Sequence, residues 1–256
     1  MDRFSAMKFD LQSTIGIFCK SIMSEKIANP IILNSTGTKN PIILIHGSGD
    51  NQFSWSQFAT ELSHDHPVYA FTMDLAFDEN TGIQEIGLNP LSQRLYTDNK
   101  FTSIEHYSNQ VTKYINYVWN LHKLPVILIG MSMGGLVARY CETVLKNEHI
   151  FHIITLSSPH QGAPLLQNSI VSRFFPNTRH QQMTPDSIFL KDERFIVHNT
   201  NKYITIGSTY DIHVPNDNAK IEGVEHITID DCGHLGITKS SIVREHVNKI
   251  LNSLVQ

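Results

Sequence analysis

The 256-residue sequence predicts an α/β fold, a mostly parallel central sheet covered by helices on both faces. Three observations predict it. Strand-length apolar runs alternate with helical patterns along the chain. Two of the runs, 41–46 and 125–130, are apolar throughout, as strands buried on both faces are. The second run feeds Gly130-Met131-Ser132-Met133-Gly134, a G-x-S-x-G turn that opens straight into a helical pattern.

In chain order, strands are expected at 31–33, 41–46, 68–73, 125–130, 150–156, 202–207 and 225–229, with helices near 54–63, 104–122, 134–147 and 238–254. Residues 4–23 place Phe4, Met7, Leu11, Ile15, Phe18 and Ile22 at helical spacing, a pattern read as a segment packed on the domain ahead of one that contacts a membrane. The stretches 75–103 and 157–201 are longer than ordinary connections. The second carries Pro164, Leu165, Leu166, Ile170, Val171, Phe174, Phe175 and Met183 without strand alternation. It reads either as a lid or cap that lines an acyl pocket or as a packed surface excursion. Its charges, Arg173, Arg179, Lys191, Asp192 and Glu193, are expected on a solvated face. No repeat or linker divides the chain, so residues 1–256 are expected to form one domain, with 1–30 as an N-terminal extension.

Twenty Lys and Arg against 24 Asp and Glu give a net charge of −4, which argues against nucleic acid or an anionic bilayer as partner. Cys19, Cys141 and Cys232 show no C-x-x-C spacing, so neither a disulfide framework nor a metal site is expected. Asp2, Lys8, Asp10 and Lys20 interrupt the apolar runs a secretory leader would need. No apolar run approaches the roughly 20 residues of a membrane span. The default location is the cytoplasm, although leaderless secretion would leave the same sequence, and contact with a lipid surface is expected to be transient at most.

The turn at 130–134 reads as a nucleophile elbow, because only small neighbours two residues away let a serine project from so sharp a bend. Ser132 is the candidate nucleophile. The start of the helix behind it offers unpaired N–H groups to negative charge, and the N–H of Met133 is expected to form half of an oxyanion hole. The N–H of Ser48, in the turn His46-Gly47-Ser48 after the 41–46 strand, is assigned the other half. The Ser48 hydroxyl is a rival nucleophile without the strand-turn-helix frame. His46, ending a strand beside glycine, reads as a loop organiser before it reads as a base.

A serine needs a base, and the base needs an acid to orient it. In the order expected for this arrangement the acid precedes the base. Asp211, just after the 202–207 strand, is the candidate acid, with Asp217 as fallback. His234, in Asp231-Cys232-Gly233-His234 after the 225–229 strand, is the candidate base. Among 14 histidines the nearest rivals are His226, inside a strand pattern, and His213, too near Asp211 to come from a separate loop.

The segment Gly130-Met131-Ser132-Met133-Gly134-Gly135-Leu136-Val137-Ala138-Arg139-Tyr140, the His46-Gly47 turn, Ser157-Ser158-Pro159-His160-Gln161-Gly162, and the Asp211 and His234 loops together resemble the lipase branch of the α/β-hydrolases. The likeness is to bacterial triacylglycerol lipases and the GPI-inositol-deacylase-like esterases, where a TPHxG-type turn follows the strand after the elbow. It covers residues 40–250 in motif order. It implies an α/β-hydrolase fold with a lid-like insertion, a Ser132-His234-Asp211 triad, no cofactor or metal, and His160 as a structural or pocket residue and not the base; His46, Gly47 and His160 are the expected binding residues. Met131 departs from the pattern, since these lipases carry histidine before the serine.

The function so implied is cleavage of a carboxylic ester, of acyl lipid or fatty ester type, through an acyl-enzyme. A thioesterase or acyltransferase with the same triad is the enzymatic alternative, and a non-catalytic binding protein on this fold is the alternative of another class.

Overall fold

A computed structural model describes residues 30–73, 76–85, 103–167 and 179–254. The amphipathic stretch 4–23, Cys19, Arg173 and the apolar residues Ile170, Val171, Phe174 and Phe175 lie outside the described residues.

Seven strands form one sheet: β1 (Ile31–Leu33), β2 (Ile42–Ile45), β3 (Val68–Ala70), β6 (Val126–Met131), β7 (Ile150–Leu156), β8 (Tyr203–Ser208) and β9 (Glu225–Ile229), in the spatial order β1-β3-β2-β6-β7-β8-β9. β1 runs antiparallel at the edge, and every other pairing is parallel. The fully apolar runs become the central strands β2 and β6, paired from Ile42 with Ile127 to Ile45 with Gly130. Alternate side chains of these strands enter two cores. On one face Ile43, Ile45 and Leu128 pack with Tyr107, Val111 and Tyr114 of α2 (Ile104–His122) and Leu136 of α3 (Met133–Thr143). On the other, Ile42, Leu44, Ile127 and Ile129 meet Trp55, Phe58 of α1 (Ser56–Leu62), and Val243 and Val247 of α6 (Ser241–Ser253).

Local chemistry sets the helix ends. Ser103 caps α2 by accepting the His106 N–H at 3.2 Å, and Ser240 caps α6 by accepting that of Val243 at 3.1 Å. The helix expected at 134–147 stops at Thr143. Lys146 turns left-handed (φ 52°), and the Asn147 N–H bonds back to the Cys141 carbonyl at 3.1 Å, closing the last turn. The helix expected from 54 begins as a 3₁₀ turn, Gln52–Trp55, and the one expected from 238 follows a 3₁₀ turn at Ile237–Lys239.

Two departures from expectation have clear causes. The strand expected at 68–73 pairs only through Ala70, because side chains take over the later backbone groups. The Thr72 carbonyl accepts from Gln84 Nε2 (2.8 Å) and the Tyr114 hydroxyl (3.0 Å), and the Met73 N–H donates to His46 Nε2 (3.0 Å). Within 75–103 the chain forms a small hairpin, β4 (Ala76–Asp78) with β5 (Ile83–Glu85), whose three-residue strands are too short to show periodicity. The described part of the 157–201 excursion holds α4 (Pro164–Gln167), α5 (Arg179–Gln182) and 3₁₀ turns at Glu193–Phe195 and Thr200–Lys202.

At the elbow the backbones almost touch. A Cβ on Gly134 would lie 2.3 Å from the Ile45 carbonyl oxygen, and one on Gly130 would lie 2.5 Å from the Gly134 backbone. Neither obstacle is a flexible side chain. Gly134→Ala is therefore expected to destabilise the protein by about 3 kcal/mol or more, beyond ordinary overpacking, read as a fall in the urea midpoint.

Candidate active site

Ser132 sits between β6 and α3 with φ 53° and ψ −123°, a conformation that L-residues rarely adopt. Hydrogen bonds on both sides hold it there: its N–H donates to the Leu156 carbonyl (2.9 Å), and its carbonyl accepts from Gly135 (3.1 Å). The strained bend carries the hydroxyl to the end of the sheet where the loops after β8 and β9 also arrive.

Those loops bring in Asp211 and His234. Asp211 Oδ1 accepts the N–H groups of His213 (2.9 Å) and Val214 (2.8 Å), a turn that fixes the carboxylate and leaves Oδ2 for His234 Nδ1 at 2.7 Å. A carboxylate only accepts, so the ring proton belongs on Nδ1. Nε2 is then open to accept from the Ser132 hydroxyl, 3.0 Å away. The His234 loop is pinned by the Ser208 hydroxyl, which donates to the Cys232 carbonyl, and by Ser240, which donates to Asp231 Oδ2 at 2.6 Å. Burial pushes the Asp211 carboxyl up, but its pairing with His234 and the Val214 N–H outweigh this and hold it below the usual carboxylate range.

The alternatives are placed elsewhere. Asp217 is exposed and paired with Lys220 at 2.6 Å. His226 is held by Thr205 (2.8 Å) and Asn216 (3.0 Å). His213 lies beside the base, its ring centroid 5.2 Å from that of His234. His46 has its two ring nitrogens on the Gly47 carbonyl (2.8 Å) and the Met73 N–H, the arrangement of a loop organiser.

A pocket of about 260 Å³ opens over Ser132 and His234. The excursion supplies apolar walls with Ala163, Leu165, Leu166 and Met183, and Met131 and Val214 add to them. Ser48, Asp50, His180 and His213 give it a polar side. Of the three expected binding residues, Gly47 lines the pocket, and His46 and His160 do not. His46 is turned toward Met73, and His160 is buried against Thr155 Oγ1 at 3.0 Å. At the start of α3, Met133 N–H has no backbone acceptor among the described residues, nor does Ser48 N–H.

The solvated-face expectation is corrected at Arg179. Its Nε donates to Ser48 Oγ at 2.8 Å, and its Nη1 donates to the Tyr107 hydroxyl. Lys191 fits the expectation, being exposed and paired with Asp186. Arg179 and His180 escaped the sequence reading because their partners lie 131 and 132 residues away, and no local pattern marks such a contact. The thiols of Cys141 and Cys232 are buried, and burial pushes that of Cys141 up to about 12. Among the described residues no group of three His, Cys, Asp or Glu is placed to hold a metal ion, and no helix is long and apolar enough to cross a membrane.

A parallel sheet whose elbow serine, histidine and aspartate meet at its C-terminal edge defines an α/β-hydrolase fold. Solved structures agree: a Bacillus licheniformis lipase, BlEst2, superimposes with a TM-score of 0.62 at 14% identity, over 84% of this chain and 92% of that one. A thermophilic esterase from Thermogutta terrifontis gives 0.57 at 15% identity, over 90% and 94%. Residues 36–247 match the PGAP1-like alpha/beta domain, and the chain belongs to that family. It is similar to a lysosomal thioesterase PPT2 homologue of Drosophila melanogaster, 27% identical over 156 residues (61% of this chain, 44% of that protein). It is also similar to a GPI inositol-deacylase of Eremothecium gossypii, 30% identical over 131 residues (46% and 12%). The chain thus spans less than half the length of these curated relatives.

Several histidines are buried in neutral form. Burial, then Lys202, pushes His152 down to about 4, and burial, then Arg139 and His226, holds His160 well below 6.5. Between pH 6.5 and about 4 the unfolded chain binds protons that these rings do not, so stability falls as pH falls. The slope is about 1.4 kcal/mol per pH unit for each ring that stays neutral. Asp211, depressed in the folded state, adds its own loss only below the unfolded carboxylate value of 3.8. Urea midpoints are expected to decline between pH 6.5 and 4.5; a flat profile would contradict this.

Proposed function

We propose that the protein is a serine hydrolase that cleaves carboxylic esters of apolar acyl groups through an acyl-enzyme. The observation that carries the reading is the chain of two hydrogen bonds from Ser132 Oγ to His234 Nε2 (3.0 Å) and from His234 Nδ1 to Asp211 Oδ2 (2.7 Å).

As Ser132 Oγ attacks the carbonyl carbon, its proton passes to His234 Nε2, and Asp211 stabilises the imidazolium and keeps its orientation. The carbonyl oxygen becomes negative and accepts hydrogen bonds from the N–H groups of Ser48 and Met133. When the tetrahedral adduct collapses, the C–O bond to the alcohol breaks and His234 returns the proton to the leaving oxygen. A water molecule then repeats the sequence on the acyl-Ser132 ester and releases the acid. The apolar walls of the pocket suit an acyl chain, as in an acyl lipid or fatty ester. A thioester substrate, with sulfur leaving in place of oxygen, is the second reading, favoured by the likeness to the PPT2 homologue. Transfer of the acyl group to another acceptor needs the same triad.

The test is hydrolysis of p-nitrophenyl esters from short to long acyl chains and of matched thioesters. Ser132→Ala and His234→Ala, shown to be folded by circular dichroism, are expected to lose about 10⁴-fold or more of kcat. Asp211→Asn is expected to lose about 10⁴-fold, because the amide favours the wrong histidine tautomer. The ratio of kcat/KM between esters and thioesters decides between the two readings. A wild type that turns over none of them and whose Ser132 does not react with a fluorophosphonate would leave a non-catalytic binding protein as the function.

A further inference from the structure

His46 Nδ1 holds the Gly47 carbonyl at 2.8 Å, but Ser48 and Gly49, which complete the turn, have little to hold them from within. Gly49 has φ 74°, and the one backbone bond across the turn, from the Asp50 N–H to the Gly47 carbonyl, is long at 3.4 Å. Two glycines flanking a residue lower the cost of moving it. An oxyanion donor, by contrast, must be held within a few tenths of an ångström of its working position.

The holding contact comes from the excursion. α5 is clamped to the start of α2: Gln182 Oε1 accepts the Ile104 N–H at 2.7 Å, and Gln182 Nε2 donates to Glu105 at 2.6 Å. From that clamped turn Arg179 donates from Nη1 to the Tyr107 hydroxyl, with its guanidinium 5.5 Å from the centre of the Tyr107 ring, and from Nε to Ser48 Oγ. Having accepted there, the Ser48 hydroxyl has its own proton to give, and His180 Nε2 lies 3.4 Å away. Burial and the Arg179 charge push the His180 ring down to about 4, so at neutral pH it is a neutral imidazole, whose Nε2 accepts from Ser48 in the tautomer that carries the ring proton on Nδ1. Ser48 Oγ is thus held between the Arg179 donor and the His180 ring. None of the ion pairs among the described residues involves Arg179.

We infer that Arg179 is a positioning residue for the oxyanion site, fixing the Ser48 side chain so that the Ser48 N–H faces the oxygen of the carbonyl that Ser132 attacks. The inference rests on the hydrolase reading and on Ser48 as an oxyanion donor. It makes the excursion part of the catalytic apparatus as well as a wall of the pocket.

The experiment measures kcat and KM for p-nitrophenyl butyrate, per site titrated with a fluorophosphonate, in wild type, Arg179→Gln, Arg179→Lys, Ser48→Ala and the Arg179→Gln/Ser48→Ala double variant. Arg179→Gln is expected to lower kcat by about 10- to 100-fold with KM within about twofold, and Ser48→Ala, which keeps the N–H but loses the clamp, to match it. The double variant should fall no further than either single one, and Arg179→Lys should recover part of the loss. Binding of a trifluoromethyl ketone, which forms a tetrahedral adduct on Ser132, should weaken in parallel with kcat/KM, which a purely structural role would not produce. A kcat within twofold of wild type, losses that multiply in the double variant, or an effect on KM alone overturns the inference. Should Arg179→Gln not fold, an unchanged kcat in Ser48→Ala overturns it just as well. Wild type turning over the ester through Ser132 while Arg179→Gln is unaffected removes this inference alone; wild type inert toward every ester and thioester removes the hydrolase reading and this with it.

Discussion

The contact between the start of α3 and the end of β2 is the constraint on which the rest of the site depends. Ile45, Gly130 and Gly134 bring three backbone segments together with no room for a side chain, and Gly135 is packed against the Ser158 side chain with no more room for a Cβ. That closeness sets the bend at Ser132 and places the helix start beside the turn after β2. It requires β2, β6 and β7 to be adjacent and in register, and the two cores on either face of the sheet supply the burial that holds them so. A strained φ at Ser132 survives only because the neighbouring strand and helix over-determine it.

Much of this was legible in the sequence, because it is encoded locally. A central strand announces itself by lacking polar residues, and the elbow by its two glycines around Ser132. The Asp211 loop announces itself by an aspartate that follows closely on the 202–207 strand pattern. Each of these patterns fits within about ten residues, and chain order then relates them. What escaped was encoded at long range or in too few residues. The β4–β5 hairpin has three residues a side, the end of β3 is decided by side chains of Gln84 and Tyr114, and the role of Arg179 depends on a partner 131 positions away. His46 was readable as a loop organiser, but its acceptor contact with the Met73 N–H was not.

Charge is handled sparingly inside the molecule. Arg139, on the helix behind the elbow, lies over the Phe195 ring at 4.0 Å and donates to the Phe195 carbonyl, a neutral acceptor at the far end of the excursion. Burial pushes its guanidinium down to about 10, which still leaves it charged at neutral pH. Nearby, Glu142 accepts from the Tyr203 hydroxyl at 2.8 Å, and His160 and His152 remain neutral. An uncancelled buried cation is costly, so a group that satisfies it must stay in place, and here that group ties the excursion to the helix that carries Ser132.

The excursion also closes on itself. The Ala163 N–H donates to the Met183 carbonyl at 2.7 Å, and the Gly162 backbone (φ 90°) is packed against Pro185 with no room for a Cβ. Ala163 and Met183 are thereby neighbours in space, so changes in the length of chain between them cost little closure entropy. Exchanging 164–182 as a cassette would re-cut the pocket over Ser132 without touching the sheet or the elbow, and Leu166, which packs with Val214 and Ala219, is its contact with the Asp211 loop. On the positioning role inferred for Arg179, a replacement must bring its own donor for Ser48 and its own tie to the start of α2, so the wall of the pocket and the setting of the Ser48 turn change together or not at all.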